Sequence, residues 1–282
     1  MEGFLLKMNQ AICNFIYQQW GCSDPFCSVE FSEDQWDILS ARAYEDKKRT
    51  LILDKKWPFC MRLVGQSGSG KTSQLLPAVK AMFDAQQLSY ISLAVRDFVD
   101  YHPHLQKIKQ LYGEALVREK TNAFALILLT LVFERCIKDG YPLLFEVTLL
   151  APTYEHFIHT LLEQYKYRCD YQVLAVSKAL SDQWIADRCR ATQRVVTNRS
   201  ANFFYEILES AFLSLRTFTL KNRVFVWDCF HLSPVLSNLR DEKLWKIIVD
   251  ARSCSGLARL ELEESVRAKI TFLKNFYATH EF

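Results

Sequence analysis

The segment Gly65-Gln66-Ser67-Gly68-Ser69-Gly70-Lys71-Thr72 carries the pattern G-x-x-x-x-G-K-[ST]. Glycines at this spacing let the backbone curl until several N–H groups point at one phosphate, and a helix that follows adds the partial positive charge of its N-terminus. Lys71 supplies a mobile positive charge for the outer phosphates of a nucleoside triphosphate. The Thr72 hydroxyl is of the type that ligates a magnesium ion bridging the same oxygens. Flanking sequence separates this reading from a chance glycine-rich turn. The apolar run Phe59 to Val64 ends in the loop, and Ser73 to Ala85 has the apolar spacing of a helix, which is the strand, loop, helix order that the motif requires. No Asn/Thr-Lys-x-Asp guanine signature is present and no second helicase-like segment follows, so ATP on a small P-loop kinase is expected.

The elements that must position the loop follow from hydrophobic periodicity. Strands are expected at Tyr90 to Val95, Tyr141 to Glu146, Tyr171 to Val176 and Arg223 to Trp227, in addition to Phe59 to Val64. Helices are expected over Glu33 to Lys48, in two pieces across Pro103 to Lys138, and over Thr153 to Tyr165, Leu180 to Arg190 and Ala201 to Leu215. Apolar residues at helical spacing also fill the first twenty positions. Strands alternating with helices predict an α/β fold, a parallel sheet flanked by helices of the P-loop kinase type. The sequence divides into an N-terminal helical appendage over 1–55, a kinase domain over 56–230 and a C-terminal helical extension over 231–282.

Composition narrows the ligand class. A formal charge of +3 on 282 residues, spread along the sequence, gives no electrostatic reason to expect nucleic acid as the main partner. Nine cysteines at scattered positions with no repeated spacing read as packed, reduced thiols of a cytoplasmic protein, and they form no zinc pattern. The longest apolar run, Ala123 to Phe133, is short of the roughly 20 residues that span a bilayer and reads as a buried helix.

Three segments together resemble the zeta toxin family: Leu63 to Thr72, then Phe98 with His102-Pro103-His104, then Gly140 to Thr148. The family carries a G-G-Q-x-G-[SA]-G-K-T loop, a D-x-F-x-x-x-H-P segment after the second strand and a G-Y-[ND]-hydrophobic-I-E-G-T segment at the end of the third. Leu111-Tyr112-Gly113 and the arginine-rich stretch from Arg188 to Arg199 also fall where the family has counterparts, so the likeness extends from Leu63 to Trp227. The resemblance implies an ATP-dependent kinase that phosphorylates a sugar hydroxyl of a UDP-N-acetyl sugar or a related nucleotide sugar. It also implies the toxin role of a toxin–antitoxin system, a cognate antitoxin partner and a cytoplasmic location.

The resemblance assigns Arg188 and Arg199 to the ATP phosphates, where two-pronged guanidinium groups suit the charge that develops in phosphoryl transfer. Glu146, at the end of a strand, and Thr148 beyond it are candidates for holding the acceptor's hydroxyls. The position of the family's general base is Arg96 here, and an arginine cannot accept a proton. Arg96 is expected instead beside substrate phosphates, and the neighbouring Asp97 is the candidate base if the strand turns there. Where the family has an arginine after its Glu-Gly-Thr segment, this chain has Leu150. His156 and His159 read as packing or surface histidines, and His102 with Pro103 as the start of a helix. Two readings remain: a kinase using Asp97, or a nucleotide-binding protein of the same fold that transfers nothing because position 96 is arginine.

Overall fold

All of Phe59–Val64 (β1) is buried, as a strand must be when helices cover both faces of its sheet. The computed structural model describes residues 12–19, 21, 26–27, 31–51, 56–148, 151–192, 198–219, 221–228, 233–253 and 262–280. β1 is central in a six-stranded sheet of order β2-β3-β1-β4-β5-β6, with β2 Ile91–Ala94, β3 Leu143–Glu146, β4 Arg168–Leu174, β5 Asn222–Trp227 and β6 Val235–Ser237. The first five strands are parallel, and β6 closes one edge antiparallel to β5. β6 was not expected from sequence, and it lies inside the segment read as a helical extension. At three residues, with Pro234 directly before it, it has no periodicity to detect.

Alternate side chains of β1 enter different cores. Phe59, Met61 and Leu63 pack with Leu75, Val79 and Phe83, and with Leu273 and Tyr277 near the C-terminus. This layer is built from α3 (Leu76–Ala85) and α10 (Leu262–Thr279). Cys60 and Val64 face the larger core, filled by α5 (Glu114–Asp139), α6 (Pro152–Gln164) and α8 (Asn198–Ser214). Ile12 and Ile16 of α1 (12–19) and Ala43 and Tyr44 of α2 (Glu33–Lys48) are buried in that same core. The start of α2 is fixed locally: Ser32 caps it and Gln35 reaches back to the Ser32 N–H in a reciprocal capping box.

Arg62 is the exception on β1, a fully buried cation paired at 2.8 Å with Glu155 of α6. Its guanidinium also lies 5.3 Å from the Phe145 ring centre and 5.6 Å from that of Tyr171. His159, one helical turn after Glu155, contacts both Arg62 and the Tyr171 hydroxyl. Burial, followed by the Arg62 charge and His156, holds the His159 imidazole well below its ordinary range. It is therefore a neutral packing residue. Cys27, Cys60, Cys136 and Cys169 are buried free thiols, with Cys13 and Cys189 half-buried. No helix among the described residues is long and apolar enough to cross a membrane.

Candidate nucleotide site

Strand register brings the chemistry to one edge. Glu146, the last residue of β3, pairs with Leu63 of β1 on one side and with Ala94, the last residue of β2, on the other. The ends of β1, β2 and β3 are therefore level. The segments that leave these three strands open into the same crevice, at the carboxyl ends of the strands, where open α/β sheets receive their ligands.

The phosphate loop continues from β1 with Gly65, Gly68 and Gly70 at φ +151°, +74° and +95°. Gly65 has no room for a side chain: a Cβ there would lie 2.6 Å from the Leu174 carbonyl oxygen. Gln66 is buried and points away from the crevice, its Nε2 donating to the Val176 carbonyl at 2.7 Å. It ties the loop to the connection that leads into α7 (Lys178–Thr192). A second tie comes from α7, where the Ser181 hydroxyl donates to the Ser67 carbonyl. Beyond the loop, Lys71–Leu75 form a π-helical turn, closed by the Leu76 N–H on the Lys71 carbonyl, before α3 begins. Such turns are rare and concentrate at functional sites.

The Lys71 amine folds over its own loop, donating to the Gly65 carbonyl at 2.5 Å and to that of Gln66 at 2.9 Å. Burial pushes this amine down to about 8; Glu146 opposes the shift, while Arg118, Arg188 and Arg96 add to it. Of these arginines, Arg96 follows β2, Arg118 lies on α5 and Arg188 on α7.

Thr72 and Arg96 meet on Glu146. The Thr72 hydroxyl donates to Glu146 Oε1 at 2.6 Å. The Arg96 guanidinium spans both carboxylate oxygens, with Nη2 at 2.5 Å from Oε2 and Nη1 at 3.3 Å from Oε1, and Nη1 also lies 3.4 Å from the Thr72 hydroxyl. Two-pronged pairing of this kind fixes orientation as well as charge.

Asp97, the expected base, is not brought to this crevice. The chain leaves β2 at Ala94 and enters a 3₁₀ helix over Val95–Tyr101, where residues three apart stack on one face. Asp97 therefore returns over Ala94 and accepts its N–H at 3.2 Å, while Lys47 of α2 holds the same oxygen at 2.6 Å. Arg96, one position earlier, is the side chain that faces Glu146.

The remaining expected residues divide. Arg188 is exposed on α7, and its charge acts on Lys71. Arg199 falls in the first turn of α8, and its side chain lies outside the described residues. Thr148 is half-buried two residues past Glu146. Leu150 lies outside the described residues. His102, buried against Phe124 with ring centres 4.6 Å apart, accepts the His104 N–H on Nδ1 ahead of α4 (Leu105–Tyr112) and so shapes that helix start. Arg118, near the start of α5, was missed; one arginine among the charges of a helix start carries no local signal. Lys47 was missed because a lysine in the last turn of a helix reads as an ordinary surface charge.

A triphosphate fits this loop. The glycine conformations, the Lys71 amine at the mouth and the Ser69 Oγ, buried without a hydrogen-bond partner, are what a phosphate cradle needs. The magnesium expected at Thr72 fits less well. The hydroxyl that would ligate it is engaged by Glu146 and faced by a guanidinium. Among the described residues, no three His, Cys, Asp or Glu side chains cluster so as to hold a metal ion.

The comparisons with known proteins agree with this fold. A family model described as zeta toxin matches residues 42–231. The chain is similar to a solved structure from the PezAT chromosomal toxin–antitoxin system of Streptococcus pneumoniae, with 20% identity over 86% of this chain and 98% of the other, at TM-score 0.65. It is also similar to a chain of the AvrRxo1-ORF1:-ORF2 complex, with 10% identity over 87% and 91% of the two chains, at TM-score 0.52. No curated protein sequence matches it.

Proposed function

This chain belongs to the zeta toxin family, and from that premise we propose that it is a kinase-type toxin that binds ATP on Gly65 to Thr72 and phosphorylates a sugar hydroxyl of a nucleotide sugar. The observation that carries the reading is the loop itself: Gly65, Gly68 and Gly70 at positive φ, the Lys71 amine folded over it, and Arg96 and Glu146 meeting at Thr72. Such a site is built for a polyanion and for the charge that spreads over a transferring phosphoryl group. Lys71, Arg188 and Arg199 are assigned to the ATP phosphates; Glu146 and Thr148, with Arg96 beside them, are assigned to the acceptor. A cognate antitoxin covering the nucleotide site, in the cytoplasm, completes the proposal.

One observation favours a second reading. Asp97 is held by Lys47 and by the Ala94 N–H, which leaves the acceptor hydroxyl no carboxylate at the end of β2. On this reading the protein binds ATP and acts through partners without transfer. The test is to give the purified protein ATP with UDP-N-acetylglucosamine and related nucleotide sugars, measuring ADP release and phosphoryl mass gain on the sugar. Acceptor-dependent transfer that falls more than about threefold, or roughly 0.7 kcal/mol, in Arg188→Ala and in Arg199→Ala supports the kinase. ATP binding without acceptor-dependent ADP supports the second reading.

A further inference from the structure

We propose that Arg96 is a built-in counter-cation that takes the place of the divalent ion, so that this site binds a nucleoside triphosphate without needing magnesium. The inference rests on the reading of Gly65 to Thr72 as a phosphate loop. A metal ion in a P-loop site does two things: it is ligated by the loop's Ser/Thr hydroxyl, and it neutralises the outer phosphates. Here the hydroxyl in question, Thr72 Oγ1, has the Arg96 Nη1 at 3.4 Å and donates its own proton to Glu146 at 2.6 Å. The guanidinium lies across both oxygens of Glu146, the strand-end carboxylate that faces Thr72. A fixed cation therefore already lies against the hydroxyl that would ligate a metal ion and against the carboxylate that faces it, and an incoming divalent ion would meet like charge.

The rest of the pocket points the same way. Lys71, Arg96, Arg118 and Arg188 bring positive charge to a site with Glu146 as the acid among them. The neighbouring carboxylate, Asp97, gives its Oδ2 to Lys47 and to the Ala94 N–H, and its Oδ1 lies 3.8 Å from Arg96 Nε, which leaves the Nη1–Nη2 fork of Arg96 to Glu146. The side chain that bridges Glu146 and Thr72 is an arginine, which stays charged at any physiological pH and meets planar anions in a two-pronged fork. A triphosphate on the loop thus finds its counter-charge in the chain itself. Arg96 is 40% exposed, so the head group is open to the crevice and free to engage a ligand's oxygens as well as Glu146.

The experiment is calorimetric titration of ATP into the full chain, in magnesium chloride and in excess EDTA at matched ionic strength. The same titrations are run on Arg96→Gln. For the unaltered protein the two dissociation constants are expected to agree within about threefold, whereas Arg96→Gln is expected to lose about tenfold or more in EDTA and to recover with magnesium. A tenfold or larger loss for the unaltered protein in EDTA overturns the inference, and so does an Arg96→Gln variant that binds equally well in EDTA. The unaltered-protein comparison needs no substitution to fold. Absence of ATP binding in both solutions overturns the phosphate-loop reading itself, which distinguishes that failure from failure of the counter-cation.

Discussion

Gly68 sits where the phosphate loop meets α7, and substituting it measures how tightly the two are joined. A Cβ on Gly68 would lie 2.4 Å from the Ser181 carbonyl oxygen and 2.8 Å from Ile185 Cγ1, in a backbone conformation of φ +74°. Gly140, which ends α5 at φ +79° and ψ 22°, provides the control, because a Cβ there meets nothing closer than Lys56 Cβ at 3.8 Å. Gly140→Ala should cost only the left-handed conformation, about 1–2 kcal/mol. Gly68→Ala should cost a similar amount for the backbone plus about 1–3 kcal/mol for overpacking against a backbone carbonyl that cannot rotate aside. At about 2–4 °C per kcal/mol for a protein of this size, the Gly68 variant should melt several degrees below the Gly140 variant. If α7 instead swings off the loop to relieve the clash, melting is spared but the Ser181–Ser67 tie breaks and ATP affinity falls. Thermal melting and ATP titration of both variants read the two outcomes. Equal melting together with equal ATP affinity would refute the packing of α7 on Gly68.

Lys71, with its amine pushed down to about 8, should take up a proton as a triphosphate binds, because the bound anion favours the charged form. ATP affinity should therefore fall as pH rises through 8, and calorimetry in buffers of different ionisation enthalpy should show proton uptake that Lys71→Met abolishes. The buried imidazoles make a prediction about stability. Burial holds His102 down at about 4 and His159 well below the ordinary 6.5, so in the window below 6.5 the unfolded chain binds protons that the native state refuses. Their contribution is intact above pH 6.5 and is lost as pH falls towards 4, by up to about 1.4 kcal/mol per pH unit for each group. Urea unfolding at neutral pH and at acid pH, on the unaltered protein and on His102→Gln, checks the slope; a variant with the same slope removes His102 from it.

Periodicity reveals elements whose reasons lie within a few residues. α2 spans Glu33–Lys48 as expected, because Ser32 and Gln35 cap it and acidic and basic residues stand at the appropriate ends. β4 was expected at Tyr171 and begins at Arg168, because its first residues, Arg168, Cys169, Asp170, hide a charge inside the sheet. Asp170 is fully buried, its Oδ2 held by Arg223 at 2.5 Å and by the Tyr277 hydroxyl at 2.6 Å, partners 53 and 107 residues away, while its Oδ1 makes no hydrogen bond and has Arg168 Nε at 3.6 Å. A buried carboxylate looks like a loop residue until its partners are known.

The site divides along the same line. Gly65 to Thr72 could be read directly because its geometry is dictated by its own glycines, and Glu146 because a strand end announces itself. The choice between Arg96 and Asp97 could not, because side-chain alternation in an extended strand and stacking in a 3₁₀ helix assign opposite directions to neighbouring positions, and the switch falls at Val95. Nothing in Ala94-Val95-Arg96-Asp97 marks that switch. It is fixed by Lys47, fifty residues upstream, which holds Asp97 in place as a cap on Ala94. The capping role of Asp97 and the placement of Arg96 are thus one event: turning the strand so that the carboxylate can meet Lys47 puts the guanidinium on Glu146 and Thr72. An arginine in the crevice is incompatible with proton abstraction at that position but well suited to holding anionic oxygens. Arg96 therefore puts a positive charge between Thr72 and Glu146, where the strand ends meet.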